Sequence, residues 1–188
     1  MKKLILIFII ALSATRMSAQ QLAVGTNVLM DALMIPNISL EMSLGRSHTL
    51  ERTVLLGQAY FLKNPWGHEA SGWGVQPEVR YFFSGRAMSR WFFGAGFHFS
   101  KYNLTWGREI YDGNSVGAGL TFGYVFNITE RLNIDAHSGF GINYYRQNQY
   151  FAGDFYDTEY YSGMATANAR GMVLMPTRMG ISITYILK

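Results

Sequence analysis

Three side chains in the middle of the sequence have the types that a hydrolase uses. His98 and Ser100 are two residues apart, so they share one face if the chain is extended there. Glu78 belongs to the preceding alternating segment, where we expect it on the same face. A serine nucleophile, a base and an orienting carboxylate are the parts of a hydrolytic triad. His98, Ser100 and Glu78 are therefore the candidate catalytic set.

The spacing of His98 and Ser100 also resembles that of outer-membrane lipid A deacylases, which implies a lipid-modifying hydrolase. The sequence departs from that pattern at Lys101, where we would expect an asparagine. The alternation moreover directs both side chains to the polar face, away from any acyl chain on the apolar face. A polar network is the competing interpretation, and its expected members are Glu41, Glu78, Arg80, His98, Asp135, His137 and Arg178. The charged members of this set could instead line a small channel, although paired charges in a narrow lumen would block it: Glu41, Glu78, Arg80, Asp135 and Arg178.

The elements that must position these residues are alternating strands. The segment from Pro36 to Gly45 places Ile38 and Leu40 on one face and Ser39 and Glu41 on the other. Similar alternation recurs eight times, at Leu22–Met30, Asn37–Leu44, within Thr49–Phe61, and near residues 75–83, 91–100, 116–126, 133–144 and 178–187. In the third segment the alternation leaves open which residues face inward.

The length of these segments favours a membrane barrel over a soluble sandwich. Sandwich strands have about five or six residues, whereas a tilted membrane strand needs roughly 9 to 11. The polar face mixes ionisable residues with glycines, which is typical of a narrow, filled interior. We predict an all-β fold, a single eight-stranded antiparallel up-and-down transmembrane β-barrel, with short links after strands two, four and six, longer links after strands three, five and seven, and a bulge at Pro77.

The N-terminus has the pattern of a cleavable export signal. Lys2 and Lys3 precede an apolar run, and small residues end near Ala19. We predict a signal peptide at residues 1–19, a barrel at residues 20–188, and a location in the bacterial outer membrane. The net charge of +4 lies largely in this leader, so the composition does not favour a nucleic-acid partner. The sequence contains no cysteine, and its histidines are too scattered to predict a metal site; we expect no cofactor.

The connection predicted between the last two strands, from Arg146 to Thr177, is the longest. Loops of that length are usually functional or disordered. Aromatic side chains give a large contact area at small entropic cost, so the loop suits a surface protein or a glycan as partner. Its first and last tyrosines could instead belong to the aromatic girdle at the membrane interface. The candidate contact residues are Tyr150, Phe151, Phe155, Tyr156, Tyr160 and Tyr161.

Three segments together resemble the domain of unknown function 3575 family, outer-membrane barrels of Bacteroidota. The segments are Thr26–Asn37, Val75–Tyr81 and Pro176–Tyr185. The resemblance implies an outer-membrane barrel in contact with lipid, assigns no activity to any residue, and suggests a link to fimbria-like surface assembly. The sequence therefore favours a non-enzymatic barrel with a structural or surface-interaction role; the alternatives are a lipid-modifying hydrolase and a small channel.

Overall fold

A computed structural model of the chain describes residues 21–45, 51–151 and 167–187. Eight strands form one antiparallel sheet in sequence order, and β8 pairs with β1 to close it. This confirms the predicted all-β, eight-stranded antiparallel barrel. The predicted signal peptide, residues 1–19, lies outside the described residues.

The strands differ greatly in length. They are β1 (Leu22–Asn27), β2 (Asn37–Ser43), β3 (Thr53–Lys63), β4 (Ala70–Phe82), β5 (Arg90–Trp106), β6 (Glu109–Asn127), β7 (Leu132–Phe151) and β8 (Ala167–Ile186). A short helix, α1 (Val28–Ala32), follows β1, and a 3₁₀ turn spans Pro65–Gly67. No helix within the described ranges is long and apolar enough to cross a membrane. We call the end of the barrel that carries Leu22 and Ile186 the terminal end, and the opposite end the distal end.

Side chains alternate between a polar interior and an apolar exterior. On β2, Ser39, Glu41 and Ser43 are buried, whereas Ile38 and Leu40 are exposed. The glutamate between the aliphatic residues of this segment therefore points into the lumen, because successive strand residues face opposite sides. The open question of the third segment is also settled. On β3, Val54 and Leu56 are buried inside, and Leu55 and Phe61 face outward.

β1 is shorter than the Leu22–Met30 segment that the alternation predicted. It ends at Asn27, whose side-chain oxygen accepts hydrogen bonds from the backbone N–H groups of Leu29 and Met30. Such a side chain caps the first turn of a helix. The chain therefore leaves the sheet at Val28 and forms α1.

The bulge predicted at Pro77 is absent. The register of β4 with β5 is the same on both sides of Pro77, and only the pairs of Gln76 and Pro77 are missing there. The missing donor of proline thus removes local pairing without inserting a residue. The register shift lies instead between β7 and β8, where Gly139 faces Arg178 but Phe140 faces Pro176, so Thr177 is the additional residue.

The predicted alternation of short and long links is wrong at the distal end. β5 and β6 continue to Trp106 and Glu109, so only Gly107 and Arg108 connect them. Gly107 has a φ of 65°, which a two-residue hairpin turn requires. The predicted Arg146–Thr177 loop is also wrong at both ends, because residues 146–151 belong to β7 and residues 167–177 belong to β8.

An apolar cluster fills the lumen at the terminal end. Met88, in the link between β4 and β5, is 2% exposed. The side-chain N–H groups of Asn127 and Asn133 donate to its carbonyl oxygen at 3.1 and 3.2 Å, which holds the link across the opening. The cluster consists of Ala23, Val54, Phe82, Met88, Phe92 and Val125.

Candidate functional site

Six ionisable side chains from four strands meet in the middle of the lumen. The inward alternation of each strand brings them there: Glu41 comes from β2, Glu78 and Arg80 from β4, Asp135 and His137 from β7, and Arg178 from β8. All six are at least 93% buried. We call these six residues the lumen network.

Arg80 is the centre of the lumen network. Its Nε lies 2.8 Å from Glu78 Oε1, and its Nη1 lies 2.7 Å from Asp135 Oδ2. The same Nη1 is 3.9 Å from Glu41 Oε1. Its guanidinium carbon is 4.3 Å from the centre of the Phe92 ring, a distance at which a cation is attracted to the ring face. Arg80 therefore neutralises carboxylates from three strands and packs on the apolar cluster below.

Arg178 and His137 extend the lumen network on the other side. Arg178 Nη1 lies 3.0 Å from Glu78 Oε2, so Glu78 is held between two guanidinium groups. His137 Nδ1 lies 3.4 Å from Asp135 Oδ2. On Glu41, the carboxylate oxygen Oε1 accepts a hydrogen bond of 3.4 Å from Thr184. Three carboxylates thus share two guanidinium groups and one imidazole in a buried interior, where unpaired charges are very costly.

Two glycines of β5 create the room that Glu78 occupies. A Cβ atom on Gly94 would lie 2.5 Å from Glu78 Oε1, and one on Gly96 would lie 2.7 Å from the carbonyl oxygen of Pro77. Glu78 and Arg80 face these two glycines directly across the β4–β5 pair. Glycine is the residue that permits such close approach. The glycines on the polar face of the sequence therefore belong to the architecture of the lumen network.

The candidate catalytic set is not assembled as a triad. His98 Nε2 is 2.8 Å from the hydroxyl of Tyr60, and Ser100 Oγ is 2.7 Å from Ser115 Oγ. Glu78 is bound by Arg80 and Arg178. Each member of the candidate catalytic set thus has a different partner. Within the described residues, His98 bonds Tyr60, which does not belong to the lumen network.

We expect Ser100→Ala to leave fatty-acid release from phospholipid micelles unchanged, because the Ser100 hydroxyl is paired with Ser115 rather than with a base. The measurement is release of radiolabelled fatty acid by the purified, folded protein. Ser115→Ala is the matched control, since it removes the other hydroxyl of the same pair. Release by the wild type that disappears only in Ser100→Ala would contradict the expectation and favour the hydrolase.

The structure separates the proposed loop contacts from one another. Tyr150 and Phe151 are the last residues of β7, so they belong to a strand rather than to a loop. Phe155, Tyr156, Tyr160 and Tyr161 lie outside the described residues. Among the residues that are described, no three of the His, Asp and Glu side chains are arranged to hold a metal ion.

Sequence reasoning missed the partners that surround the predicted residues. Tyr60 lies two residues beyond the inward Gln58, and this spacing is a usable signal for its face. Met88 lies between two predicted strands, where alternation carries no information. Arg146 and Arg170 fall within the predicted Arg146–Thr177 loop, so the sequence does not predict their place on the outer face of β7 and β8.

Comparison with known proteins gives a family but no activity. No curated protein and no solved structure matches the chain. A family model described as a protein of unknown function, DUF3575, matches residues 4–187. That match covers nearly the whole chain, which therefore belongs to the DUF3575 family.

Proposed function

We propose that the chain is a non-enzymatic β-barrel of the bacterial outer membrane with a structural or surface-interaction role. The observation that carries this proposal is that the closed sheet has charged side chains on its inner side and apolar side chains on its outer side, the reverse of a soluble protein. The lumen holds the buried lumen network, while large apolar side chains cover the outside. Closure satisfies the backbone groups that lipid cannot. Examples of the exposed apolar residues are Phe93, Phe97, Leu120, Phe122, Phe140, Ile142 and Ile181.

The filled lumen supports a structural role rather than transport. Arg80 and its carboxylate partners cross the middle of the barrel, and Met88 with its apolar neighbours fills the terminal end. An eight-stranded barrel has an interior that side chains just fill. We therefore expect no single-channel conductance from the purified protein in planar bilayers.

The unequal strands support a surface role. β5, β6, β7 and β8 have 17, 19, 20 and 20 residues. A membrane strand needs roughly 9 to 11 residues, so each of these strands is about 20 to 35 Å longer than the span requires, and its distal part extends past the bilayer. When both termini face the periplasm, this extension lies outside the cell. It would present the segment between Phe151 and Ala167, with its aromatic residues, to a surface protein or a glycan.

Fractionation combined with heat-modifiability tests the membrane location. We expect the protein in the outer-membrane fraction, resistant to extraction by alkaline carbonate, because its exterior is apolar. On a denaturing gel the unboiled protein should migrate faster than the boiled one, since a closed hydrogen-bonded barrel resists detergent. Recovery of the folded chain from periplasmic extract, monodisperse without detergent, would refute the proposal.

A loop replacement tests the surface role. We expect the barrel to fold normally when residues 153–165 are replaced by a glycine–serine turn, because β7 and β8 keep their full lengths. Binding of the purified protein to whole cells of its own species should then fall at least tenfold. The matched control replaces Gly107 and Arg108 by Asn-Gly, which keeps the neighbouring hairpin. Equal binding by the loop variant and the wild type would count against a surface role for this segment.

A further inference from the structure

Three outward cations stand in one cross-strand row on the distal half of the barrel. Lys101 on β5 pairs with Asn114 on β6, Asn114 pairs with Arg146 on β7, and Arg146 pairs with Arg170 on β8. All four side chains are exposed. Because neighbouring strands are about 4.8 Å apart, the row is about 14 Å long. We call Lys101, Asn114, Arg146 and Arg170 the basic row.

Two members of the basic row repel each other. Arg146 and Arg170 are directly opposite, and side chains so placed have Cβ atoms about 5 Å apart, where like charges destabilise a sheet. Within the described part of the chain, neither arginine forms an ion pair. The nearest outward acid in register is Asp112, one outward position further along β6, where it faces Asn148 rather than an arginine. An anion bound between the arginines would offset this repulsion.

The basic row lies where the outer surface changes from apolar to polar. The next outward position toward the terminal end is apolar or aromatic on every one of these strands, and these residues also form a cross-strand row. A change of this kind is expected at the boundary between hydrocarbon and headgroups. The residues of the apolar row are Val75, Phe99, Val116, Tyr144 and Met172.

Two surface grooves connect the rows. One is lined by Trp73, Phe99, Lys101, Asn114, Val116 and Arg146 among others, and the second is lined by Tyr144, Arg146, Ala169 and Arg170. Arg146 contributes to both grooves. The first groove thus combines an apolar wall with a guanidinium group, and the second places two guanidinium groups beside Tyr144. Together they match a molecule that has an acyl chain and an anionic head. The short side chain of Asn114 leaves space between Lys101 and Arg146 and adds an amide donor.

We infer that the basic row binds the phosphate groups of a phosphorylated membrane lipid in the leaflet at the distal end, with the lipid's acyl chains against the apolar row. Guanidinium groups bind phosphate through two parallel hydrogen bonds, so Arg146 and Arg170 supply the main contacts and Lys101 adds a point charge. This inference rests on the proposed membrane location, because the apolar row must lie in hydrocarbon for the basic row to meet headgroups.

The test measures lipid retained by the full-length protein in zwitterionic detergent micelles, using native mass spectrometry. The probe is phosphatidic acid, with phosphatidylcholine as the zwitterionic comparison. Each surface cation contributes about fivefold to binding of an anionic lipid, so Arg146→Gln with Arg170→Gln should retain about 25-fold less phosphatidic acid. The control variant, Arg86→Gln with Arg131→Gln, removes two exposed arginines at the terminal end and should retain as much as the wild type.

Three outcomes would overturn the inference. The first is that the Arg146/Arg170 variant retains as much phosphatidic acid as the wild type. The second is that the wild type retains phosphatidylcholine and phosphatidic acid equally. The third is complete displacement of the lipid by millimolar inorganic phosphate, which would mean that the basic row binds free anions. The membrane location is tested separately, by the fractionation experiment. A heat-modifiable, membrane-bound barrel with charge-independent lipid retention refutes only this inference, whereas a soluble chain refutes the proposed function.

Discussion

Arg80→Met will unfold at a much lower denaturant concentration than the wild type. The substitution keeps the length of the side chain and its packing near Phe92, but it leaves Glu41, Glu78 and Asp135 without the cation that they share. Breaking a buried ionic group by removing one partner costs about 3 to 5 kcal/mol in the free energy of unfolding. Tryptophan fluorescence during urea titration in detergent micelles measures this loss.

Two comparisons show whether the loss arises from the lumen network. Arg86→Met removes an exposed arginine and should change the free energy of unfolding by no more than about 0.5 kcal/mol. Adding Glu41→Gln and Asp135→Asn to Arg80→Met should restore much of the stability, because the remaining carboxylate, Glu78, keeps Arg178 as its partner. An Arg80→Met barrel that unfolds at the wild-type midpoint would show that the charges are not coupled as the structure has them.

Gly141→Ala will destabilise the barrel by about 3 kcal/mol, at the upper end of the usual cost of overpacking. Gly141 on β7 faces Gly119 on β6, and an added Cβ would meet the carbonyl oxygen of Ala118 and lie 2.5 Å from the Cα of Gly119. Both atoms belong to the backbone, so no side chain can rotate away. The two strands must separate locally, and the hydrogen bonds between them weaken.

The control for Gly141 is the same substitution on the outside of the barrel. A Cβ on Gly57 would find no atom within 4 Å. Gly57→Ala should therefore be neutral, or stabilising by about 0.4 to 1 kcal/mol through the lower entropy of the unfolded chain. The expected result of urea titration is a loss of stability in Gly141→Ala and no loss in Gly57→Ala. Equal losses at both positions would mean that the cost comes from the change of residue type rather than from the close contact of β6 and β7.

The sequence predicts the fold well where each strand separates two environments. From Val75 to Phe83 and from Val116 to Phe126, every second residue is apolar or aromatic, with Pro77 and Ala118 the least bulky of them, and the structure places these residues outside. Beyond Phe99 and Tyr144 both faces become polar, so alternation no longer distinguishes a strand from a loop. For this reason the alternation does not predict the distal parts of β5 to β8.

The lumen network was predictable by face but not by contact. Alternation places Glu41 and Asp135 on the inside, yet these residues lie on β2 and β7, and their common contact with Arg80 crosses the lumen. Such contacts depend on the width of the closed barrel and on the relative positions of distant strands. His98 has the same inward alternation, but it lies nearer the distal end and bonds Tyr60 on β3. A one-dimensional pattern does not encode these distances.

The short length of β1 makes the closure of the barrel uneven. β8 has 20 residues, but only Ser182–Ile186 pair with β1. The pairing of β1 with β2 is limited to Leu22–Gly25 of β1. The seam between β7 and β8 is far longer and runs from Leu132 to Gln149 on β7. The Asn27 side chain adds a contact to the seam between β1 and β8, because its amide N–H donates to the carbonyl oxygen of Met179 at 3.2 Å. Its side-chain oxygen accepts a hydrogen bond from the backbone N–H of Leu29 in the first turn of α1. The barrel is therefore closed by its fewest backbone pairs at β1, and we expect the sheet to separate there first when the chain unfolds.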